Sequence, residues 1–429
     1  MSQRIIKMLL AGVMFCLTLS GFAQQQRFPK PEFETGYSQP PTQQPLPRAI
    51  FLEYLDVAVL IGALLLVSWF VLKKRSRQGV LWTSVFSLLY FGFYREGCIC
   101  AIGSIQNVAL ATFDPTYVLP LTALLFFLIP LITALFAGRT FCAGVCPLGA
   151  IQDLVAFRPI ELPRWLQKVL GLIPYLYLSL AVLYAATKSE FLICRYDPFV
   201  GFFRFDGTFQ MLLLGGLFLI VGVFVARPYC RFFCPYGVLL GWMSSFSKKH
   251  LTITPTACIQ CKLCANSCPF GAIEEPDLEE GKRRPNVNRL LKYLILIPAW
   301  MLIGGLAGSM LHGTLSKFNK TVYLAEMIVE NPDVRYDQEN IDARTFMQAG
   351  KTMDQLVADA QKIKSQFYWG GWIAGAFMGL VIGLVLVNLS SYRRRNDYEP
   401  DKTNCLSCGR CMDYCPVKQE TEHENDFRR

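Results

Sequence analysis

Residues 139–154 read RTFCAGVCPLGAIQDL, and residues 227–242 read RPYCRFFCPYGVLLGW. Each stretch contains an arginine, a cysteine three positions later, then three residues, Cys-Pro, one residue and a glycine. Two copies of such a motif form an internal repeat. One copy alone is explained equally well by buried cysteines that only pack. The repeat instead predicts that four thiolates meet at one metal centre, those of Cys142, Cys146, Cys230 and Cys234.

The composition around this repeat is that of a membrane protein. Of the 429 residues, 53% are hydrophobic and only 17% are charged, which is far from a soluble average. The net charge of +10 fits basic residues at the cytoplasmic ends of helices, and nucleic-acid binding is not predicted. Sixteen cysteines against three histidines favour iron–sulfur or zinc chemistry. Since the sequence has no C-x-x-C-H motif, c-type haem is excluded, and no haem is expected.

The hydrophobic pattern predicts an all-α polytopic membrane protein. Apolar stretches long enough to cross a bilayer of about 30 Å lie at 49–72, 79–95, 117–137, 166–187, 208–226, 290–312 and 368–390. The predicted organisation is a signal peptide (1–23), an exported Pro- and Gln-rich linker (24–48), a transmembrane domain (49–250), a first ferredoxin-type segment (251–289), a membrane helix (290–312), a periplasmic helical segment (313–367), a last membrane helix (368–390) and a second ferredoxin-type segment (391–429).

Basic residues predict the orientation of these spans. KKRSR at residues 73–77 and RRR at residues 393–395 follow the first and last predicted spans. Short loops rich in Lys and Arg stay in the cytoplasm. We therefore expect an inner-membrane protein whose ferredoxin-type runs face the cytoplasm.

Two further cysteine runs share the spacing C-x2-C-x2-C-x3-C-P. They comprise Cys258, Cys261, Cys264 and Cys268, and then Cys405, Cys408, Cys411 and Cys415. In two-cluster ferredoxins three cysteines of a run bind one [4Fe-4S] cluster and the fourth binds the other cluster. The runs thus predict a ferredoxin-like α+β module, split in the sequence, in which Cys415 completes the first site and Cys268 the second. Two separate four-cysteine sites, or zinc, are the alternatives.

Degenerate copies of the repeat lie in loops assigned to the outer face. In GCICAIGSIQN at 97–107, CAIGSIQ resembles CPLGAIQ, and in CRYDPFVG at 194–201, Asp-Pro replaces Cys-Pro. These loops predict a fourth iron–sulfur centre bound by Cys98, Cys100, Cys194 and Asp197. A disulfide or ordinary buried cysteines are the alternatives. A centre at each face of a bilayer about 30 Å thick would require an intermediate centre between them.

The repeat and the two runs resemble the NosR/NapH/CcoG family of membrane polyferredoxins, which share several spans, two C-x3-C-P motifs and paired ferredoxin runs. The resemblance covers residues 80–275 and the tail after residue 400. It implies [4Fe-4S] ligation by the cysteines of the repeat and of both runs. Family members pass electrons between quinol or cytoplasmic donors and periplasmic reductases, or support maturation of copper or haem-copper enzymes. The S/D-G-A-T-like flavin attachment motif of NosR-like proteins is absent, so no covalent FMN is expected on this chain.

These features predict an electron-transfer protein that passes electrons from cytoplasmic clusters to a periplasmic flavin-binding protein or reductase. No catalytic residue is predicted, because the runs supply no base or nucleophile, and the sequence leaves open whether the chain belongs to an enzyme. One alternative is a quinol dehydrogenase subunit, with Glu53, Asp56 and His312 as ionisable residues near the ends of spans. The other is a maturation or regulatory factor for a metalloenzyme.

Overall fold

A computed structural model of the chain describes residues 49–97, 100–157, 159–160, 162–253, 258–276, 287–331, 343, 346, 352–390, 395 and 397–417. The predicted signal peptide, the predicted linker and Cys98 lie outside the described residues.

The described part of the chain is mostly helical, as the sequence predicts. In chain order the helices are α1 (Ile50–Leu72), α2 (Arg77–Ser87), which continues as a π-helix (Leu88–Tyr94), α3 (Ser104–Phe113), α4 (Leu121–Ala137), α5 (Thr140–Gly144), α6 (Pro147–Val155), α7 (Arg164–Leu170), α8 (Ile173–Ala186), α9 (Leu192–Arg195), α10 (Val200–Arg204), α11 (Phe209–Phe224), α12 (Pro228–Phe232), α13 (Pro235–Ser245), α14 (Leu263–Ser267), α15 (Val287–Met310), α16 (His312–Ser316), α17 (Lys320–Glu330), α18 (Met353–Ser390) and α19 (Arg410–Asp413).

Four helical stretches of the described chain are long and apolar enough to cross a membrane. They are Ile50–Leu72, Trp165–Ala186, Leu291–Met310 and Met353–Leu389. Two shorter apolar helices, Leu121–Ala137 and Phe209–Phe224, correspond to two further predicted spans. The prediction that the chain contains apolar helices long enough to span a membrane is therefore confirmed, while the number of seven spans stays a prediction.

The last apolar helix begins earlier than the predicted span. Helix α18 is continuous from Met353, so no helix boundary coincides with the predicted start at residue 368. Its first turns bury Leu356 and Ala360 against Val322 of α17 and against Phe346. Because apolar residues recur at helical spacing before residue 368, the helix extends beyond the predicted span toward its N-terminus without a break.

Helices α15 and α18 approach each other closely through glycines. A Cβ atom added at Gly375 would collide with the backbone oxygen of Gly304, and one added at Gly371 would meet that of Gly308. Small residues allow this approach between membrane helices. This helix pair separates the two ferredoxin-type runs in the sequence, and its antiparallel course returns the chain to the same side.

A two-stranded antiparallel sheet joins the two runs. Strand β1 (Ile273–Glu274) follows the first run and pairs with β2 (Glu399–Pro400), which precedes the second. In addition, the N–H of Asp401 donates to the carbonyl oxygen of Ala272, at 2.8 Å. These backbone contacts bring the two runs together across more than a hundred residues of sequence.

Each cysteine loop of the membrane domain leads into a short helix. Helices α6 and α13 both begin at the proline of Cys-Pro, a residue favoured at the first helical position because it needs no N–H partner there. Helix α6 packs against the π-helix and α11, while α13 packs against α4 and α8. The short helices therefore lie among the longer ones and bring the cysteine loops into the bundle.

Candidate metal centres

The structure brings the four cysteines of the repeat together. Cys230 lies within electrostatic reach of Cys146 and Cys142, and Cys234 lies within reach of the other three. The side chains of Cys146, Cys230 and Cys234 are buried. Two thiols from each copy thus form one group, which we call the elbow site.

The arginine of each copy packs against the glycine of the other. A Cβ atom at Gly237 would lie 3.1 Å from Nη2 of Arg139, and one at Gly149 would lie 3.3 Å from Nη1 of Arg227. Any larger side chain would push the guanidinium group away. This reciprocal contact explains why the repeat combines an arginine, two cysteines and a glycine at fixed spacing.

Arg227 also ties the first copy to the second. Its side chain is fully buried and forms an ion pair with Asp153, with Nη2 2.6 Å from Oδ2. Its Nε donates to Oδ1 of the same carboxylate at 2.8 Å, and its Nη1 donates to the carbonyl oxygen of Cys142. Bidentate pairs of this kind fix geometry as well as charge.

Gln152 makes a second link between the copies, which the sequence did not single out. Its Oε1 accepts from the backbone N–H of Tyr229 at 3.0 Å. Its Nε2 donates to the carbonyl oxygen of Leu148 at 2.7 Å and lies 3.3 Å from Sγ of Cys230. An amide donor at this distance can hydrogen-bond to the sulfur, and such hydrogen bonds tune the potential of a cluster where the sulfur is a cluster ligand.

The first ferredoxin-type site draws on both runs. Cys258, Cys261, Cys264 and Cys415 line one cavity together with Tyr398. This is the ligand set expected from cross-ligation, and Cys415 enters it from the second run.

The second ferredoxin-type site has the complementary composition. Burial raises the pKa of the Cys405 thiol to about 12, and the neighbouring thiols of Cys408 and Cys268 add to this rise. Burial likewise raises the pKa of Cys411, which faces Cys408, Cys405 and Cys268. Since buried thiols lose protons only when a metal or cation compensates the charge, this group is suited to a metal cluster.

Arg139 connects the elbow site to the second ferredoxin-type site. Its Nη1 donates to the carbonyl oxygen of Thr403 at 3.0 Å, and its Nη2 lies 3.8 Å from Sγ of Cys142. Nearby, Cys408 lines a cavity with Asp153 and Ala143. The ferredoxin module therefore docks directly on the elbow site.

His250 lies at the same junction and was not singled out by sequence reasoning. Its Nδ1 would be 2.6 Å from a Cβ atom at Gly138, a position that also faces Ser407. Both ring nitrogens are buried without a hydrogen-bond partner among the described residues. Burial lowers the pKa of His250 to about 4, and Lys402 contributes to this lowering while Asp401 opposes it.

The predicted outer cysteines lie closer to the elbow site than expected. Cys100, Asp197 and Cys146 line the same cavity, and Cys100 lies within electrostatic reach of Cys146. The prediction that an intermediate centre must lie between the outer cysteines and the elbow site is therefore wrong for Cys100. Cys194 adjoins Cys100 across Gly103.

The ionisable residues considered for a quinol site have structural partners. Asp56 is buried, forms an ion pair with Arg95 at 2.9 Å and accepts from the hydroxyl of Tyr90 at 2.8 Å. Nδ1 of His312 lies 2.6 Å from the carbonyl oxygen of Ser309. Glu53 accepts from the hydroxyl of Thr122 at 3.4 Å.

The donor sets fit clusters. In the described part of the chain, no three His, Cys, Asp or Glu side chains form a group for one metal ion. Thiols are nevertheless grouped around shared cavities, as Cys258, Cys261, Cys264 and Cys415 are. Four thiols distributed in this way suit a [4Fe-4S] cluster, whose irons each take one cysteine.

Comparisons with known proteins agree with this chemistry. Residues 119–172 and 208–254 match a family model described as a 4Fe-4S binding domain, and residues 251–274 match a second model of the same description. The two ranges matched by the first model contain one copy of the repeat each, and the range matched by the second model contains the first ferredoxin-type run.

Three curated proteins illustrate the similarity. YccM of Escherichia coli, named for electron transport, is 31% identical over 32% of this chain and 43% of its own length. MJ0750 of Methanocaldococcus jannaschii is 30% identical over 42% of this chain and 77% of its own length. The regulatory protein NosR of Stutzerimonas stutzeri is 28% identical over 48% of this chain and 30% of its own length. The chain thus spans less than half of YccM and NosR, and no solved structure matches it.

Proposed function

Because the chain belongs to the NosR/NapH-like family of 4Fe-4S-binding membrane polyferredoxins, we propose that it carries electrons across the cytoplasmic membrane. Electrons enter at the two ferredoxin-type sites on the cytoplasmic side and leave toward a periplasmic flavin-binding protein or reductase. The proposed ligands are the eight cysteines of the two runs and the four cysteines of the elbow site. Bound [4Fe-4S] clusters would supply one-electron chemistry.

The contact between the ferredoxin module and the elbow site is the observation that carries this proposal. Arg139 donates to Thr403, two residues before Cys405, and lies beside Cys142. Arg227 lies within electrostatic reach of both Cys230 and Cys408. The same guanidinium groups therefore face thiols of both sites and hold these sites at a fixed separation.

Charge compensation is a further role for these two arginines. Several thiolates close together repel one another, and burial in a medium of low dielectric constant strengthens that repulsion. Arg139 and Arg227 offset it at the junction of the two sites. Asp153, which is partly exposed, in turn balances the charge of the fully buried Arg227, since the two side chains form an ion pair.

The test is electron transfer across a sealed membrane. The purified full chain is inserted in liposomes that contain trapped flavin mononucleotide, and dithionite is added outside to the fraction whose ferredoxin module faces outward. We expect the trapped flavin to be bleached. Cys142→Ala and Cys234→Ala should abolish bleaching, whereas the matched variant Ser245→Ala, on the exposed end of α13, should not.

Bleaching at the wild-type rate in both cysteine variants would overturn the relay. Two relatives are named as regulatory proteins, so a regulatory or maturation role is the second candidate. It is favoured if the protein accumulates clusters but transfers no electron to the trapped flavin. Rapid reduction of the clusters by menaquinol in detergent would favour the quinol dehydrogenase alternative.

A further inference from the structure

Outside residues 98 and 99, the degenerate copies of the repeat at residues 97–107 and 194–201 share structural features with the elbow site. Gln106 follows Cys100 by six positions, just as Gln152 follows Cys146. Both glutamines are fully buried. The two therefore occupy equivalent positions in the repeat.

The equivalence extends to the hydrogen bonds. Oε1 of Gln152 accepts from the N–H of Tyr229, the residue before Cys230, at 3.0 Å. Oε1 of Gln106 accepts from the N–H of Ile193, the residue before Cys194, at 2.9 Å. Each glutamine thus holds the start of the opposite cysteine loop, and Cys194 corresponds to Cys230.

The two glutamines differ in the hydrogen bonds made by the amide nitrogen, Nε2. Nε2 of Gln152 donates to Leu148 and lies 3.3 Å from Sγ of Cys230. Nε2 of Gln106 is buried and has no hydrogen-bond partner among the described residues. Leaving a buried amide donor without a partner is energetically unfavourable, so a donor in this position indicates an acceptor that the polypeptide does not provide.

Two thiols and a carboxylate lie close together near Gly103, three residues before Gln106. A Cβ atom at Gly103 would lie 3.3 Å from Sγ of Cys194 and 3.9 Å from Cβ of Cys100. The buried carboxylate of Asp197 lies within electrostatic reach of Cys100. Two thiols and a carboxylate therefore group next to the loop whose start is held by Gln106.

We propose that Cys100, Cys194 and Asp197 bind a further iron–sulfur centre, and that Gln106 donates a hydrogen bond to one of its sulfur atoms. This outer site adjoins the elbow site, because Cys100 and Cys146 line one cavity. Cys194 is exposed whereas Cys146 is buried. The outer site is therefore the point at which a redox partner reaches the chain, which the three-site relay proposed above does not provide.

The experiment compares iron content and electron paramagnetic resonance of the full chain, purified without oxygen and reconstituted with iron and sulfide. Cys194→Ala should lower the iron content by one cluster and remove one signal. Gln106→Leu should keep the iron but shift the potential at which that same signal titrates. The control Gln78→Leu, on the exposed face of α2, should change neither.

Unchanged iron and spectra in Cys194→Ala would overturn the proposal, as would a disulfide at Cys194 in the protein as purified. If Cys194→Ala does not fold, Cys194→Ser and Gln106→Leu provide the same readouts. Cys142→Ala distinguishes this failure from a failure of the relay, because it should remove a different signal. If Cys142→Ala removes a signal but Cys194→Ala removes none, the protein has a cluster at the elbow site and none at the outer site.

Discussion

The ferredoxin module and the elbow site assemble four thiols in different ways. In the ferredoxin module, three ligands of each site come from one run of seven residues, and only the fourth comes from elsewhere. In the elbow site each copy supplies two ligands, and polar contacts of buried side chains, such as that of Arg227 with Asp153, hold the copies together. A three-plus-one site is therefore specified mainly by local sequence, whereas a two-plus-two site depends on how two distant segments pack.

The largest expected effect is the loss of a whole cluster from the ferredoxin module. Cys415→Ser should remove the same electron paramagnetic resonance signal as Cys258→Ser, because both thiols line one cavity. Cys268→Ser should instead remove the signal that Cys408→Ser removes. The measurement is iron content together with spectra of the reduced protein.

Ser267→Ala, in the same loop, is the matched control and should retain both signals. If each run binds its own cluster, Cys415→Ser would share its lost signal with Cys408→Ser. That pairing would contradict cross-ligation and make the module no different from two independent runs.

A smaller but still large effect is expected where the two copies of the elbow site are joined. Arg227→Met leaves the Asp153 carboxylate, whose side chain is 27% exposed, without its partner, which costs about 3 kcal/mol, the lower end of the range for a buried pair. We expect a clear fall in the thermal unfolding midpoint and a loss of the electron paramagnetic resonance signal of the elbow site, here called the elbow signal. Arg195→Met is the control, since Arg195 pairs with Glu190 but is more than half exposed, and exposed pairs contribute little. Equal falls in both variants would show that the elbow site needs no buried link.

An intermediate effect is expected from the helix pair that joins the two runs. Gly375→Leu in α18 would collide with the backbone of Gly304 in α15, and overpacking of this kind costs about 1–3 kcal/mol. Gly216→Leu in α11 is the control, because a Cβ atom there meets nothing. We expect Gly375→Leu to weaken the ferredoxin signals while the elbow signal persists. Loss of the elbow signal alone would contradict the prediction that this helix pair supports the ferredoxin module and not the elbow site.

The sequence predicted the elements better than their depth in the bundle. The apolar stretch 49–72 agrees with α1 within one residue, and the cysteine spacings identified twelve thiols that the structure groups into three sites. Counting spans, however, assigned Cys100 and Cys146 to opposite faces. The short helices that follow the cysteine loops return into the bundle, and hydropathy does not report this because a helix such as α6 is too short to resemble a span.

The contacts between segments could be predicted only in part. The similarity of CAIGSIQ to CPLGAIQ already aligned Gln106 with Gln152, which was the signal for their shared role. Nothing in the sequence indicated that Arg139 reaches Thr403, because that contact depends on how the ferredoxin module docks. Long-range polar contacts are set by tertiary packing, which local patterns do not encode.

The smallest expected effect lies at the junction between the two regions and depends on pH. The lowered pKa of His250, about 4, means that the unfolded chain binds a proton at higher pH than the folded protein does. The stability contributed by neutral His250 should therefore be complete above about pH 6.5 and decline as the pH falls toward 4. At pH 5.5 we expect wild type to have lost about 1 kcal/mol relative to pH 7.5 through this residue. His250→Leu should remove that part of the decline, and unfolding midpoints of both proteins across this range provide the measurement. Parallel pH profiles would show that the junction is hydrated, so that the ferredoxin module and the elbow site meet through water rather than through a buried contact.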